Sequence, residues 1–190
     1  MKLNILASKS PRRKDLLNQI GFKFSIVDSN FKEYHNNDIP PEALAETLAR
    51  EKALKVAKMY NDNIIIGADT IVTLESKVLG KPRNKKESFE MLRSLSGKSH
   101  EVITGVSLIQ LNKNIDHTFN KRTFVTLSHI SDEEILSYIK KYKPSDKAGS
   151  YGIQDGFSLY IEKINGCYFN VMGFPLSTFF KNYKFIFQTF

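Results

Sequence analysis

Two adjacent arginines, Arg12 and Arg13, directly follow a proline at the point where a helix is predicted to begin. Helix N-termini carry partial positive charge from unpaired N–H groups, so each exposed cation there costs roughly 0.3–1 kcal/mol. Ser10 is a good N-cap and Pro11 a good first helical residue, and a strand leading into such a helix forms an anion site. Two interpretations stay open: arginines that bind a phosphate-bearing ligand, or surface arginines on a capped helix.

A lysine, Lys52, interrupts the apolar face of a second predicted helix, which begins at Pro41. This face follows the i, i+3, i+4 pattern of a buried stripe and consists of Ala45, Leu48, Ala49, Lys52, Ala53 and Val56. A lysine in this position either extends its ammonium group past the core to water or points into a charged cleft. The small alanines beside Lys52 favour the cleft.

A carboxylate, Asp69, follows an apolar run that predicts a central strand with a break at Gly67. Ligand sites in α/β sheets lie at the carboxyl ends of such strands, where a carboxylate binds Mg²⁺ or activates water. The alternative is an aspartate that makes a turn or capping bond. Thr70 either caps or contacts the ligand, and Lys81 adds a cation after a turn glycine.

Two further candidates lie in predicted loops. Glu33 is a candidate for a second metal-binding carboxylate, although a lone loop glutamate is ordinarily solvated. Gln154 lies in a glycine-rich segment, and its carboxamide offers one acceptor and two donors. This set matches the N3–H and carbonyl groups of uracil or thymine, but most loop glutamines have no such role. The histidines show no metal-ligand spacing.

The predicted elements alternate between strands and helices in the first half of the chain, and antiparallel strands dominate the second half. Helices are predicted over 11–20, 41–60, 85–95 and 131–142, and after Pro175. Paired strands are predicted over 99–111 and 121–130, and a hairpin over 157–171 that turns at Asn165 and Gly166. This pattern predicts an α/β chain with a mixed sheet.

The composition restricts the classes of partner. A net charge of +8 favours anionic partners, but the basic residues are dispersed and no aromatic-rich recognition motif appears, so no stable nucleic-acid complex is expected. No stretch approaches the roughly 18 apolar residues that span a bilayer, so no membrane association is expected. One cysteine excludes an internal disulfide, and the start lacks an apolar signal segment; both favour a cytoplasmic protein. The length predicts one domain over 1–190.

Seven segments and one glutamate follow one another in an order typical of a known family: LASKSPRR, Glu33, REKA around Lys52, GADTIV, LGKP, LSGKSHEVITGV, DKAGSYGIQ and YFNVMGFPL. Together they resemble the Maf family of nucleoside triphosphate pyrophosphatases over nearly the whole chain. YGIQ is similar to the branch that prefers dTTP and UTP, whereas the branch that prefers 7-methyl-GTP usually has another residue at position 154. Two positions depart from the pattern, because Asp155 stands where glycine is common and Ser150 where alanine often stands.

The resemblance implies an elongated α/β fold with two lobes around a cleft, similar to that of inosine triphosphatase. It implies that the phosphates are held by Ser8, Arg12, Arg13, Lys52 and Lys81, with Lys52 and Lys81 taking part in catalysis. Glu33 and Asp69 would bind Mg²⁺ or Mn²⁺, and Asp69 is also the candidate base for the attacking water. Gln154 would read the pyrimidine, with Thr70 as a further substrate contact.

The implied reaction is the hydrolysis of dTTP and UTP to the monophosphate and pyrophosphate, with modified pyrimidine triphosphates as further candidate substrates. This activity would remove unwanted nucleotides from the cell's nucleotide pool. Family members are often homodimers and have been linked to septum formation. Asp155 adds negative charge near the base pocket, which leaves the balance among pyrimidines open. Two alternatives remain open: a purine-directed pyrophosphatase of the inosine triphosphatase kind, and a nucleotide-binding regulator of cell division that needs no turnover.

Overall fold

A computed structural model describes residues 4–32, 34 and 39–188. The helices in this part of the chain are α1 (Pro11–Gln19), α2 (Pro41–Ala57), α3 (Lys85–Leu95), α4 (Asp132–Tyr142), α5 (Tyr168–Met172) and α6 (Leu176–Phe187). The strands are β1 (Asn4–Leu6), β2 (Phe24–Ile26), β3 (Ile64–Leu74), β4 (Lys77–Leu79), β5 (Ser99–Gln110), β6 (Ile115–Leu127) and β7 (Ile161–Asn165). No helix among these is long and apolar enough to cross a membrane.

The seven strands of the described residues form one sheet in the order β2-β1-β3-β5-β6-β7, with β4 also paired to β3. β1 runs parallel to β2 and β3, as expected for strands joined by the crossover helices α1 and α2. The remaining pairs are antiparallel, including the long hairpin of β5 and β6. The prediction of an α/β chain with a mixed sheet is confirmed.

Strand pairing along one edge of β3 is interrupted, and the candidate site lies at this interruption. β5 pairs with β3 along one edge, from Ile65 to Thr73. On the other edge, β1 pairs only with residues 64–66 and β4 only with residues 72–74. Residues 67–71 therefore face an opening in the sheet at the carboxyl end of β1. Asp69 and Thr70 lie within this opening.

The ends of the helices follow local signals in the sequence. Pro11 begins α1, and the Ser10 side chain caps it by accepting a hydrogen bond from the Arg13 backbone N–H. Ser131 and Glu134 form a capping box at the start of α4. Gly21, with a φ of 67°, follows the end of α1 in the left-handed conformation. These predictions are confirmed to within a few residues.

The predicted break in the strand at Gly67 is wrong, because β3 runs without interruption from Ile64 to Leu74. Gly67 instead permits close packing of α2. A Cβ atom at Gly67 would lie 2.2 Å from the backbone oxygen of Ala49, and one at Gly105 would lie 2.3 Å from that of Ala45. The α2 backbone therefore lies directly against β3 and β5.

The predicted hairpin over 157–171 is also wrong. Its first part forms a short 3-10 helix and then β7, which pairs with the outer edge of β6. After Gly166, the Cys167 N–H donates to Thr123 Oγ1 at 3.0 Å, and the chain enters α5. An existing strand edge and a side-chain acceptor thus take the hydrogen bonds that a hairpin partner would have supplied.

Candidate active site

A cleft of about 560 Å³ lies at the opening beside β3. Its walls are the β1–α1 loop, the first turn of α1, the turn after β4, the segment 146–155 and the end of α5. The cleft brings together every predicted site residue that the structure describes, namely Ser8, Arg12, Arg13, Lys52, Asp69, Thr70, Lys81 and Gln154. Glu33, the predicted second metal ligand, lies outside the described residues.

The floor of the cleft contains a buried ion pair. Lys52 on α2 donates from Nζ to Oδ1 of Asp69 on β3. The two residues are only 6% and 5% exposed. Of the two interpretations of Lys52, the structure has the one in which the side chain points into the cleft. The close approach of α2 at Gly67 makes this contact possible.

Arg13 lies at the base of the cleft and connects three segments of the chain. Its Nε donates to the backbone oxygen of Gly173 at 2.9 Å, its Nη1 to Ser8 Oγ at 3.1 Å, and its Nη2 to Thr70 Oγ1 at 3.0 Å. The residue is 9% exposed, so it is not a surface arginine. The planar guanidinium group suits this role because it donates in several fixed directions.

Thr70 belongs to a hydrogen-bonded chain that continues into the sheet. Its Oγ1 lies 3.0 Å from Thr104 Oγ1 on β5, and Thr104 donates to the backbone oxygen of Asn170 at 3.1 Å. The Asn170 amide in turn donates to the Val102 backbone oxygen at 2.9 Å. Sequence reasoning missed Thr104 and Asn170, because no local spacing relates them to Thr70.

Arg12 points toward the opposite wall. Its Nη1 donates to Oδ2 of Asp146 at 2.9 Å, while Lys147 Nζ donates to Oδ1 of the same carboxylate at 2.8 Å. Partial burial raises the pKa of Asp146, but the hydrogen bonds from Lys147 and Arg12 outweigh this effect and hold that pKa below its usual value. Sequence reasoning did not single out Lys147, although DKAG directly precedes the glycine-rich segment.

The turn after β4 carries Lys81 into the cleft. The backbone oxygen of the preceding residue, Gly80, accepts a hydrogen bond from the Gly149 N–H at 3.1 Å. This bond ties the Lys81 turn to the segment that contains Lys147. Ser150, one of the two departures from the family pattern, is buried and hydrogen-bonded through Oγ to Ser88 Oγ of α3.

The second departure, Asp155, is held by the wall of the cleft. Its Oδ1 accepts from the Tyr138 hydroxyl and from the Phe157 N–H, each at 3.1 Å. The same Tyr138 hydroxyl accepts from the Gly152 N–H at 3.1 Å. The carboxylate therefore braces the loop from beside Gln154, whose own side chain is exposed at the cleft.

His100 supports the same loop from below. It is buried on β5, and its Nε2 lies 2.7 Å from the hydroxyl of Tyr151, which lines the cleft. Burial lowers the pKa of His100 from 6.5 to about 4. The neutral imidazole is therefore the form that fits the folded protein.

We expect acid destabilisation that depends on His100. Because folding lowers this pKa, the unfolded chain binds the proton first, so the stabilisation is complete above pH 6.5 and is lost as the pH falls toward 4. Wild type should lose about 3 kcal/mol more than His100→Gln between pH 7 and 4. Urea unfolding of both proteins at pH 7, 5.5 and 4 measures this difference. Parallel pH profiles would show that His100 titrates normally.

The family resemblance implies a divalent cation, and the Asp69 carboxylate on the cleft floor is a suitable ligand for one. No group of three or more His, Cys, Asp or Glu within 4–32, 34 and 39–188 is arranged to hold a metal ion. Mg²⁺, however, takes only one or two protein carboxylates when substrate phosphates and water supply its other ligands. The Asp69 carboxylate, at the floor of a cleft lined by cationic side chains, fits a hard cation that enters together with a polyphosphate.

The family model described as Maf-like protein matches residues 4–184. The chain is 49% identical to a dTTP/UTP pyrophosphatase of Caldicellulosiruptor saccharolyticus, over 93% of this chain and 90% of that protein. It is 46% identical to one of Carboxydothermus hydrogenoformans, over 94% and 96% respectively. The solved Ham1 protein of Staphylococcus aureus matches with a TM-score of 0.47 at 12% identity, over 66% of this chain and 72% of that one. Because the family model and these sequence relatives cover nearly the whole chain, this chain belongs to the Maf family.

Proposed function

We propose that this protein hydrolyses dTTP and UTP, and modified pyrimidine triphosphates where they fit, to the nucleoside monophosphate and pyrophosphate. The observation that carries the proposal is the 46–49% identity, over 93–97% of the chain, to relatives named dTTP/UTP pyrophosphatase. The cleft supports it, because cationic side chains from four separate segments line the same cleft as the buried Asp69 carboxylate.

In the proposed reaction, water attacks the α-phosphorus and pyrophosphate leaves with the bond electrons. Asp69 accepts the proton that the attacking water loses, and Lys52 holds the Asp69 carboxylate in place. Negative charge grows on the bridging oxygen and on the leaving phosphates. Arg12, Lys81 and the N-terminus of α1 line the same cleft and would stabilise that charge.

Arg13 has a different part in this proposal. Its hydrogen bonds to Ser8, Thr70 and Gly173 connect three segments of the cleft lining, so it orders the phosphate site as well as adding charge to it. Ser8 also accepts the Ser10 N–H at 3.3 Å, which shapes the loop before α1. Such a loop at a helix N-terminus binds phosphate well.

A divalent cation, Mg²⁺ or Mn²⁺, is part of the proposal, with Asp69 as its ligand among the described residues and Glu33 as the second candidate. When bound, it would neutralise charge on the phosphates and polarise the reacting phosphoryl group. We propose further that residues 1–190 act as one domain in the cytoplasm, where they remove unwanted pyrimidine triphosphates. A homodimer and a link to septum formation belong to the same proposal.

A panel of triphosphates tests this function. The purified protein is incubated with dTTP, UTP, CTP, ITP and 7-methyl-GTP, with Mg²⁺ and separately with EDTA, and the products are separated by chromatography. We expect monophosphate and pyrophosphate from dTTP and UTP, and no products in EDTA. Preferred hydrolysis of ITP would favour the purine-directed alternative, and tight nucleotide binding without turnover would favour a regulator.

Gln154 is expected to distinguish the bases. Its carboxamide can accept from N3–H and donate to a carbonyl of uracil or thymine, a paired contact worth about 1–3 kcal/mol. Gln154→Ala should therefore lower kcat/KM for UTP by the factor that corresponds to about 1–3 kcal/mol of lost transition-state stabilisation. The kcat/KM for the poorest substrate of the panel should stay nearly unchanged. Gln154→Glu, which keeps an acceptor but loses both donors, is the matched comparison. An equal loss for every base would contradict base reading.

A further inference from the structure

We propose that Lys147 is an additional phosphate ligand of the cleft, and that the Asp146 carboxylate occupies its position as an internal anion until a phosphate group displaces it. The proposal rests on the proposed function only in taking a polyphosphate as the ligand. It assigns a role to two residues of the DKAG segment that the reaction described above does not use.

The geometry of the three side chains supports the exchange. One carboxylate joins two cations, since Oδ2 of Asp146 accepts from Arg12 Nη1 at 2.9 Å and Oδ1 accepts from Lys147 Nζ at 2.8 Å. Arginine and lysine bind carboxylate and phosphate oxygens through the same donors. A phosphate group placed between Arg12 and Lys147 would therefore satisfy the donors that Asp146 now satisfies.

The burial of the three side chains shows which of them can leave. The Asp146 side chain is 58% exposed, whereas those of Arg12 and Lys147 are 30% and 18% exposed. The two cations belong to the cleft wall, and the anion approaches them from the solvent side. An ion pair with so exposed a carboxylate is weak, so a more highly charged phosphate competes well.

The backbone around Lys147 is fixed, which suits a binding residue. The Lys147 N–H donates to the Pro144 backbone oxygen at 3.2 Å, and the Ser150 N–H donates to the Lys147 backbone oxygen at 3.1 Å. Two residues on, the Gly149 N–H is bonded to Gly80, beside Lys81. Lys147 and Lys81 are thus carried by two linked segments that face the same cleft.

The two roles for Asp146 predict opposite effects of its removal. If the carboxylate competes with phosphate, Asp146→Asn removes both a competitor and a repelling charge, so pyrophosphate should bind more tightly. If the carboxylate instead holds Arg12 and Lys147 in their binding positions, the same change should weaken binding. The sign of the change separates the two.

Binding of inorganic pyrophosphate, measured by titration calorimetry in EDTA at low salt, tests the proposal without turnover. We expect Asp146→Asn to bind roughly two- to fivefold more tightly and Lys147→Met roughly tenfold more weakly than wild type. Lys140→Met is the control, because this exposed lysine on α4 does not line the cleft and its loss removes the same charge. Thermal melts establish that each variant is folded.

Weaker binding by Asp146→Asn would overturn the exchange, and a Lys147→Met effect no larger than that of Lys140→Met would overturn the role of Lys147. Asp146→Asn should tighten binding less in the Lys147→Met background than in wild type, because without Lys147 the competition concerns Arg12 alone. Since the probe is pyrophosphate and not a nucleotide, failure of the triphosphate panel with this binding pattern intact would reject the proposed function and leave the subsite standing.

Discussion

Replacing Asp69 with asparagine is expected to remove most turnover and to destabilise the fold at the same time. The first effect follows from loss of the proposed base, a contribution of roughly 10²–10⁴-fold. The second follows from burial, because the Lys52 ammonium would lose the negative charge of Asp69 where both residues are at least 94% buried. Removing one member of a buried ion pair costs about 3–5 kcal/mol.

A double-mutant cycle separates the two effects. Lys52→Met should also destabilise the protein, because it leaves the Asp69 carboxylate buried without this ammonium. Lys52→Met combined with Asp69→Asn removes both charges, so it should be more stable than the sum of the single changes predicts. Turnover, in contrast, should stay low in all three variants. Urea unfolding gives the coupling energy, and steady-state rates with UTP give the catalytic loss.

Asp28→Asn is the matched control for this cycle. Asp28 also lines the cleft and is paired with a lysine, Lys9, at 2.6 Å, but the Lys9 side chain is 73% exposed. Such an exposed pair contributes little, so the free energy of unfolding should stay close to that of wild type. If Asp69→Asn and Asp28→Asn reduce turnover equally, Asp69 is not the base. If the double variant is as unstable as the sum of the singles, the two residues are not coupled.

What could be predicted from the sequence was mainly local. The start of α1 follows from Ser10 and Pro11, and the start of α4 from Ser131 and Glu134, since each signal lies within one helical turn. Most candidate site residues were recognised from local residue patterns, and Ser8 from the resemblance to the Maf family. All of them that lie in the described part of the chain line one cleft, although their roles stay predictions.

What could not be predicted depends on residues far apart in the chain. Arg12 and Arg13 each lie four residues before a leucine of α1. Arg13 nevertheless donates to Gly173, whereas Arg12 donates to Asp146. These partners are 160 and 134 residues away along the chain. No helical periodicity contains that information. The same limit explains why Lys147 and Thr104 were missed.

Gly67 is the clearest example of what the sequence could not predict, because a glycine in a strand is compatible with either a break in the strand or close packing of another backbone. A glycine within an apolar run is ordinarily read as a weakened strand or a bulge, which gave the predicted break. The structure has a continuous strand and a helix packed on it, and the missing side chain makes room for that helix. Close approach of two backbones is a tertiary property, and only the assembled sheet reveals it.

Gly67→Ala is therefore expected to impair both stability and catalysis. Its Cβ would lie 2.2 Å from the Ala49 backbone oxygen and 2.8 Å from the Ala53 Cβ, so α2 must move away from β3. Such overpacking costs about 1–3 kcal/mol. Lys52 lies between these two contacts on α2, so it moves with the helix and its ammonium leaves Asp69. A displacement of about 1 Å in a catalytic group can cost roughly 100-fold in rate.

Gly21→Ala is the comparison that isolates the effect of position. An added Cβ at Gly21 meets no atom within 4 Å, and the cost comes only from its φ of 67°, about 1–2 kcal/mol. Both variants should therefore unfold more easily than wild type, but only Gly67→Ala should lose turnover with UTP beyond what its unfolded fraction explains. Urea unfolding and rates measured well below the melting temperature give both quantities. Full activity of a folded Gly67→Ala protein would mean that Lys52 reaches Asp69 without close packing of α2, and that the opening beside β3, not the helix against it, sets the geometry of the cleft floor.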